Sequence, residues 1–245
     1  MKWKCICSYK GTFFKGWQSQ PSKLGVQDHI EHALSSIFNK RIRIIGCSRT
    51  DAGVHAKGQC FHFEANWNHT DEKLLRAMHS KLDREIKIES IKKAPPSFHA
   101  RFSAKLKQYT YTIYLGRPCP LEKDFVWECR NNDLDYEEMI GASQILIGEH
   151  NFTAFSAVNS KDKDPNPIKR IQSIKIRKKD KKILITIKGS GFLYKMVRSI
   201  SGTLYAIGRK KISSKDLKNI LKAKKRSNII RTAPAEGLCL DKIFY

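Results

Sequence analysis

The chain has 245 residues, of which 40% are hydrophobic, so it can bury a core and is not expected to be globally disordered. It carries 47 lysines and arginines against 23 aspartates and glutamates, a net charge of +24. The excess is present both before and after residue 105, which excludes a basic tail on a neutral protein and suggests a polyanionic partner, nucleic acid before a membrane surface.

Cysteine usage and hydropathy predict a cytoplasmic protein. The seven cysteines are an odd number without a C-x-x-C pair, which argues against a disulfide framework or a zinc site and favours a reducing compartment. The N-terminus has no apolar stretch of signal-peptide length, and there is no run of about 18 apolar residues that would predict a membrane helix.

Residues 1–105 are predicted to form β-α-β-β-α-β, the ferredoxin-like order. The strands are predicted at 3–9, 41–46, 58–64 and 86–91. Apolar residues from Val26 to Phe38 recur at helical spacing, and Leu74, Leu75 and Met78 mark a second helix that Thr70 or Asp71 would cap.

Residues 106–245 are predicted to repeat this rhythm as β-α-β-β-α-α-β. Strands are expected at 108–115, 171–176, 183–187 and 237–244, with a hairpin tip at 178–181. Asp135 is a good N-cap for one helix, apolar residues from Leu193 to Ile207 mark a long helix, and Ser213 caps a shorter one. No low-complexity linker separates the halves, so they are expected to pack into one body.

The segment 47–59, Cys-Ser-Arg-Thr-Asp-Ala-Gly-Val-His-Ala-Lys-Gly-Gln, is predicted to be a loop, where functional groups often lie. Asp51 stands at its centre, with Arg49 two residues before it and Ala52 and Gly53 after it. This context gives a carboxylate a nearby cation and room for a substrate. Taken alone, Asp before Ala-Gly also suits a turn in which the carboxylate bonds its own backbone.

Other candidate residues have both a structural and a functional interpretation. Tyr109, on a strand with Tyr111 and Tyr114, suits sheet packing, but aromatic rings also stack on RNA bases. Arg198, on the apolar stripe of a helix, either extends to the surface or pairs with a carboxylate, and Asp51 is the candidate. Basic clusters at 177–182, 209–211 and 222–226 suit either a solvated face or a surface that contacts phosphates.

The sequence predicts neither a metal nor a nucleotide cofactor. His29 and His32 lie at i, i+3 on a helix without a third ligand. The segment Gly189-Ser190-Gly191 is not a dinucleotide fingerprint, because Tyr194 stands where a third glycine belongs, and no phosphate-binding G-x-x-x-x-G-K-[ST] motif occurs.

The segment 47–59 resembles the catalytic motif of the TruA family of tRNA pseudouridine synthases, and the resemblance covers nearly the whole chain. The other matching segments occur in family order at 9–12, 16–20, 26–27, 98–104, 109–111, 150–152, 191–198 and 232–238. Two departures are visible: Lys10 stands where the family usually has Asp, and Ser48 where it usually has Gly.

This resemblance implies an α+β pseudouridine synthase fold, in which two ferredoxin-like halves, 1–105 and 106–245, form a continuous mixed sheet flanked by helices with a central cleft. It implies a homodimer that uses no metal or cofactor and isomerises uridines 38, 39 and 40 in the anticodon stem-loop of tRNA. Asp51 would be the catalytic nucleophile and Arg198 its ion-pair partner. Tyr109 would stack on the target uracil, and Arg49 would help hold the nucleotide out of its helix.

Three rival interpretations stay open at this level. A non-catalytic RNA-binding protein would share the charge and the fold, but would not need Arg49, Asp51, Tyr109 and Arg198 together. A nuclease would need clustered carboxylates, which are sparse near the motif. A pseudouridine synthase with another RNA target would share every feature named so far.

Overall fold

The structure is a computed structural model that describes residues 1–130, 133–157 and 166–245. It divides into two compact units, Met1–Lys105 with Cys239–Tyr245, and Leu106–Leu238. The last seven residues thus group with the first unit, although they were expected in the half 106–245.

The secondary-structure elements alternate along the chain. The strands are β1 (Lys2–Tyr9), β2 (Ile45–Gly46), β3 (His55–Glu64), β4 (Ile86–Ala94), β5 (Leu106–Leu115), β6 (Trp127–Cys129), β7 (Gly148–Asn151), β8 (Ile168–Lys179), β9 (Lys182–Gly189) and β10 (Leu238–Phe244). The α-helices are α1 (Val26–Phe38), α2 (Asp71–His79), α3 (Tyr136–Ser143), α4 (Met196–Gly208) and α5 (Ser214–Ala223).

The first unit is built on a sheet with β1 at its centre. Strand β1 pairs antiparallel with β3 on one side and with β4 on the other. The far edge of β3 receives β2 antiparallel, at residues 61 and 62, and β10 parallel, at residues 55 and 56. The order β4-β1-β3-β2 is the ferredoxin-like order predicted for residues 1–105.

Helix positions follow the predicted apolar spacing and caps. In α1 the residues Val26, Ile30 and Leu34 are buried. Helix α2 is capped by Thr70, whose side chain accepts from the amide of Lys73. The apolar stripe of a helix faces the core because its residues recur every turn, and the cap satisfies an amide that has no partner within the helix.

Two strand predictions in this unit had wrong bounds. The strand predicted at 41–46 is reduced to β2, because the amides of Ile42 and Ile44 donate to the side chains of Ser35 and Glu31 on α1 instead of to a neighbouring strand. Strand β3 begins at His55 and not at residue 58, so the loop that carries Asp51 is shorter than predicted.

The second unit has a sheet in the order β5-β9-β8-β7, with β6 parallel to β5 at its edge. Strands β8 and β9 form the predicted hairpin, and Asp180 at its tip has a φ of +52°. Asp135 and Ser213 cap α3 and α5 as predicted, since their side chains accept from the amides of Glu138 and Asp216. The short strands β6 and β7 were not predicted, because three or four residues show no alternation.

The predicted α+β class is thus confirmed. Each unit buries one face of its sheet, and the cores contain large aromatic side chains. In the first unit the fully buried rings include Trp3, Phe61 and Phe63, and in the second they include Tyr111 and Phe152. Of the candidate site residues, Tyr109 lies on a strand of these sheets, Arg198 lies on α4, and Arg49 and Asp51 lie in the loop between β2 and β3.

Candidate active site

Asp51 lies in a turn between β2 and β3. Its carbonyl oxygen accepts a hydrogen bond from the amide of Val54 at 3.1 Å, which closes the turn. The side chain of Asp51 is half-buried, whereas Arg49 is exposed. The loop therefore presents a carboxylate and a guanidinium two residues apart, as the sequence predicts.

A buried amide fixes the start of this loop. Gln59 on β3 is fully buried. Its Oε1 accepts from the backbone amide of Ser48 at 3.2 Å, and its Nε2 donates to the Ser48 carbonyl at 2.6 Å. Because both backbone groups of one residue are bound, the chain is fixed three residues before Asp51. Gln59 belongs to the recognised motif, but nothing in the sequence indicated this role.

Thr50, directly before Asp51, is held through its side chain and its backbone. The hydroxyls of Thr50 and Tyr9 share a hydrogen bond of 2.8 Å in a buried position. The Thr50 carbonyl accepts from the amide of Trp17 at 3.1 Å. These contacts tie the loop to β1 and to the segment 11–17.

Two glycines let the segment 11–17 approach the turn more closely than any side chain would permit. A Cβ on Gly11 would lie 2.0 Å from the Val54 carbonyl oxygen, and a Cβ on Gly16 would lie 2.6 Å from the Thr50 carbonyl oxygen. Gly16 also has a φ of +88°, which an L side chain rarely adopts. The turn that carries Asp51 is therefore packed backbone against backbone on a second loop.

Tyr109 lies on β5 in the second unit, and its side chain is 7% exposed. Its ring meets Phe192 edge to face, with a centroid distance of 5.3 Å and an interplanar angle of 86°. Tyr111, two residues on, is fully buried and donates from its hydroxyl to the Pro234 carbonyl. Burial, with the charge of Glu236 as a second cause, raises the pKa of the Tyr111 phenol well above its usual range, so this group stays neutral. Tyr111 therefore has a packing role in the sheet, whereas the ring of Tyr109 contacts Phe192 in the segment that leads into α4.

Arg198 lies in the first turns of α4 and is half-buried. Its Nε donates to the Ala233 carbonyl at 2.8 Å, and the Ala233 amide donates back to the Arg198 carbonyl at 3.1 Å. The guanidinium is therefore oriented by the backbone of the segment 231–234.

Arg226 secures that same segment from the other side. Its guanidinium donates to the hydroxyls of Ser199 and Thr232 and to the Ile230 carbonyl, at 2.9 to 3.2 Å. Burial lowers the pKa of Arg226 from its usual value. The sequence placed Arg226 in a basic surface cluster, and only its hydrogen bonds reveal that it supports the segment around Ala233.

The basic clusters are mainly exposed. Arg177, Lys178 and Lys179 lie at the exposed end of β8, and Lys182 forms an ion pair with Glu122. In the second cluster, the Nζ of Lys210 lies 3.5 Å from a carboxylate oxygen of Asp135. Most of these charges remain accessible to a polyanion.

The described ranges contain neither a metal-binding cluster nor a membrane-spanning helix. Within residues 1–130, 133–157 and 166–245, no group of three or more His, Cys, Asp or Glu side chains is placed to hold a metal ion. In the same ranges, no helix combines the length and the apolar character needed to cross a membrane.

The sequence was compared with known proteins. The family model described as tRNA pseudouridine synthase matches residues 6–103 and 142–245. The matched stretches contain Arg49, Asp51 and Arg198, and Tyr109 falls between them.

Curated relatives match over the full length. The chain is 38% identical to tRNA pseudouridine synthase A of Bacillus licheniformis, over 100% of this chain and 99% of that protein. It is 36% identical to the protein of the same name from Clostridium acetobutylicum (99% of this chain, 98% of that one) and 39% identical to the one from a Thermoanaerobacter species (98% of each). From the family match and these identities it follows that the chain belongs to the tRNA pseudouridine synthase family, whose members are isomerases that act on uridine in tRNA.

Proposed function

We propose that this enzyme converts uridine to pseudouridine at positions 38, 39 and 40 of the anticodon stem-loop of tRNA, with Asp51 as the nucleophile. The observation that carries the proposal is the fixed turn at Asp51: Gln59, Thr50 and two glycine contacts hold its backbone while its carboxylate stays partly accessible. A loop that only connects two strands does not need such restraint.

The reaction rearranges bonds within one nucleotide. The N-glycosidic bond between N1 of uracil and C1′ of ribose breaks, the uracil turns while bound, and C5 joins C1′. The proton on C5 is lost and N1 gains one, so no oxidant, reductant or second substrate is required. Asp51 assists either by forming a covalent intermediate or by stabilising an oxocarbenium-like state.

The other candidate site residues position the target nucleotide and keep the Asp51 carboxylate charged. Arg198 pairs with Asp51 and keeps its carboxylate ionised and oriented. Tyr109 stacks on the target uracil and takes part in proton transfer. Arg49, exposed next to the fixed residue Thr50, holds the target nucleotide out of its helix.

Binding must offset the cost of extruding a base, which amounts to a few kcal/mol. A net charge of +24 supports this, because phosphate contacts bind RNA without reading its sequence. The enzyme is further proposed to act in the cytoplasm as a homodimer. The main alternative, a non-catalytic RNA-binding protein, explains the charge but not the restraint at Asp51.

The test is tritium release from an anticodon-arm transcript labelled at uridine C5, with Asp51→Ala compared with wild type. We expect Asp51→Ala to lose activity by at least about a thousandfold while its affinity for tRNA stays within about threefold, because the carboxylate acts in the reaction and not in backbone binding. Asp71→Ala, which removes a carboxylate at the start of α2, serves as the matched control and should keep wild-type activity. Normal turnover by Asp51→Ala would refute the assignment, and tight binding without release by wild type would favour the RNA-binding alternative.

A further inference from the structure

A short 3-10 turn that packs against the turn of Asp51 ends in an exposed phenylalanine and is preceded by a lysine. The turn spans Gly11–Phe13 and follows Lys10 directly. The side chain of Phe13 is 60% exposed, and the Nζ of Lys10 lies 5.2 Å from the centroid of its ring. Neither residue has a role in the reaction proposed above.

This turn is rigidly attached to the turn of Asp51. The Gly11 amide donates to Nδ1 of His55 at 3.1 Å, and the backbone of Gly11 abuts the Val54 carbonyl. The next ring, Phe14, is buried against His29 at a centroid distance of 5.2 Å, so the chain is anchored on both sides of Phe13. Phe13 is thus exposed on a segment whose backbone packs against the turn of the candidate nucleophile.

An aromatic ring held in solvent on a fixed turn is preorganised for stacking, because little conformational freedom is lost when a flat ligand binds it. The residues around it carry positive charge: Lys10 lies over the ring, Lys15 is exposed, and the segment 10–17 contains no acidic residue. A flat aromatic group linked to phosphates, a nucleotide of RNA, matches this combination of ring and ammonium groups.

We propose that Phe13 stacks on the base next to the target uridine and that Lys10 contacts a phosphate of that nucleotide. This inference rests on the proposed function. Extruding the uridine removes a stacking partner from its neighbours in the RNA, and a protein ring at this position replaces it. Phe13 and Lys10 are therefore positioning residues that set how the RNA strand lies across Asp51.

The first test needs no turnover. An anticodon-arm RNA carries the fluorescent base 2-aminopurine directly before or directly after the target uridine, and it is bound to Asp51→Ala protein. Stacking on Phe13 should quench the emission at one of the two positions, and the double variant Asp51→Ala/Phe13→Ala should restore it. The control is Asp51→Ala/Phe102→Ala, because Phe102 is also exposed and lies beside an arginine. Phe102 follows Ala100, whose amide donates to His62 on β3. His62 lies about 20 Å along this strand from His55, the residue that anchors the turn of Phe13.

The second test uses tritium release by active protein. Phe13→Ala should lower kcat/KM on intact RNA by roughly fivefold to a hundredfold, the factor expected for the loss of one stacked base. On RNA with an abasic nucleotide at the quenched position, wild type and Phe13→Ala should become equal. Phe13→Trp should retain activity on intact RNA, and Lys10→Ala should reduce the salt dependence of binding by about one phosphate contact.

Three results would overturn the inference: unchanged emission at both positions, an equal loss for Phe13→Ala on intact and abasic RNAs, or a change in oligomeric state of Phe13→Ala that marks the ring as a contact between copies. If wild type releases no tritium from any RNA, the proposed function fails, while the fluorescence result still decides whether Phe13 stacks on a base.

Discussion

The two units hold their candidate site residues in different ways. In the first unit, the turn of Asp51 is fixed by close backbone contact with Gly11 and Gly16 and by the buried amide of Gln59. In the second unit, Arg198 is oriented by a backbone segment, 231–234, which a partly buried cation, Arg226, ties to α4. The first arrangement adds close steric contact between backbones to its hydrogen bonds, whereas the second is a network of hydrogen bonds alone.

This difference predicts different tolerance to substitution. A Cβ added to Gly11 or Gly16 would lie 2.0 or 2.6 Å from a backbone oxygen of the Asp51 loop, so any side chain at these glycines displaces the loop. A network of several hydrogen bonds loses stability gradually on substitution, because a shorter side chain or a water molecule can replace some of the lost hydrogen bonds. Variants in the two regions should therefore differ in the size of their effect and in whether a conservative substitution rescues them.

The largest effect is expected for Gly11→Ala. Its Cβ would lie 2.0 Å from the Val54 carbonyl, so the turn of Asp51 must move, at a cost of about 3 kcal/mol or more in the free energy of unfolding. Activity should fall with it, measured by urea unfolding and tritium release. Gly141→Ala is the matched control, because this glycine lies in α3 and, apart from its own helix backbone and chain neighbours, no atom of the described residues lies within 4 Å of the added methyl. The change should stabilise the helix by about 0.5–1 kcal/mol. Wild-type stability and activity in Gly11→Ala would show that the turn is not fixed by this contact.

A smaller effect is expected for Arg226→Met in the second unit. The variant keeps the apolar length of the side chain but removes donors to Ser199, Thr232 and the Ile230 carbonyl, which should cost about 2 kcal/mol. Because the segment 231–234 orients Arg198, kcat should fall more than RNA affinity. Arg226→Lys should recover part of the stability, and equal losses for Met and Lys would contradict a graded network.

Much of the fold was predictable because periodicity reports which face of an element is buried. Strands such as β1 and β5 alternate buried and accessible residues along their length, and the caps Thr70, Asp135 and Ser213 were identified from residue type. Pairing partners are not encoded in this way. Ile42 and Ile44 alternate like a strand, but side chains on α1 bind their amides, and nothing in the pattern of residues 238–244 indicates pairing with β3.

The site was predictable only as far as the motif reaches. Asp51 and Arg49 were singled out by the segment 47–59, and the structure places both in one loop. The supporting residues were found only in the structure: Gln59 is one of several polar residues of β3, and Arg226 lies in a basic run that suggests solvent exposure. The role of Gln59 in fixing the Asp51 loop, and that of Arg226 in fixing the segment 231–234, follow only from their hydrogen-bond partners in the structure.

A pH titration sharpens the comparison, because His62 lies on β3, the strand that leads away from the turn of Asp51. Burial, followed by the charges of His99 and Lys2, lowers the pKa of His62 from 6.5 to about 4, and its Nδ1 accepts from the Ala100 amide. The unfolded chain therefore binds a proton below pH 6.5 that the folded chain does not, so stability should fall between pH 6.5 and 4 and be unaffected by this group above pH 7. Urea unfolding should show a loss of roughly 1.5–2 kcal/mol from pH 7 to pH 5, and His62→Asn, which keeps an acceptor, should reduce this loss. If the loss is equally steep in His62→Asn, another group is responsible.

The smallest effect, and the one of opposite sign, is expected for Ser48→Ala. Among the described residues the buried Ser48 hydroxyl has no hydrogen-bond partner, although both backbone groups of Ser48 are bound by Gln59. Removing it should stabilise the protein by about 0.5–1 kcal/mol, since a buried unsatisfied hydroxyl carries a desolvation cost. Ser48→Gly, the residue usual in the family, should gain less than Ser48→Ala, because the backbone φ of Ser48 is not positive and glycine adds only freedom to the unfolded chain. Thermal unfolding of the two variants ranks them, and a higher stability for Ser48→Gly would mean that the backbone at the start of the Asp51 loop is strained.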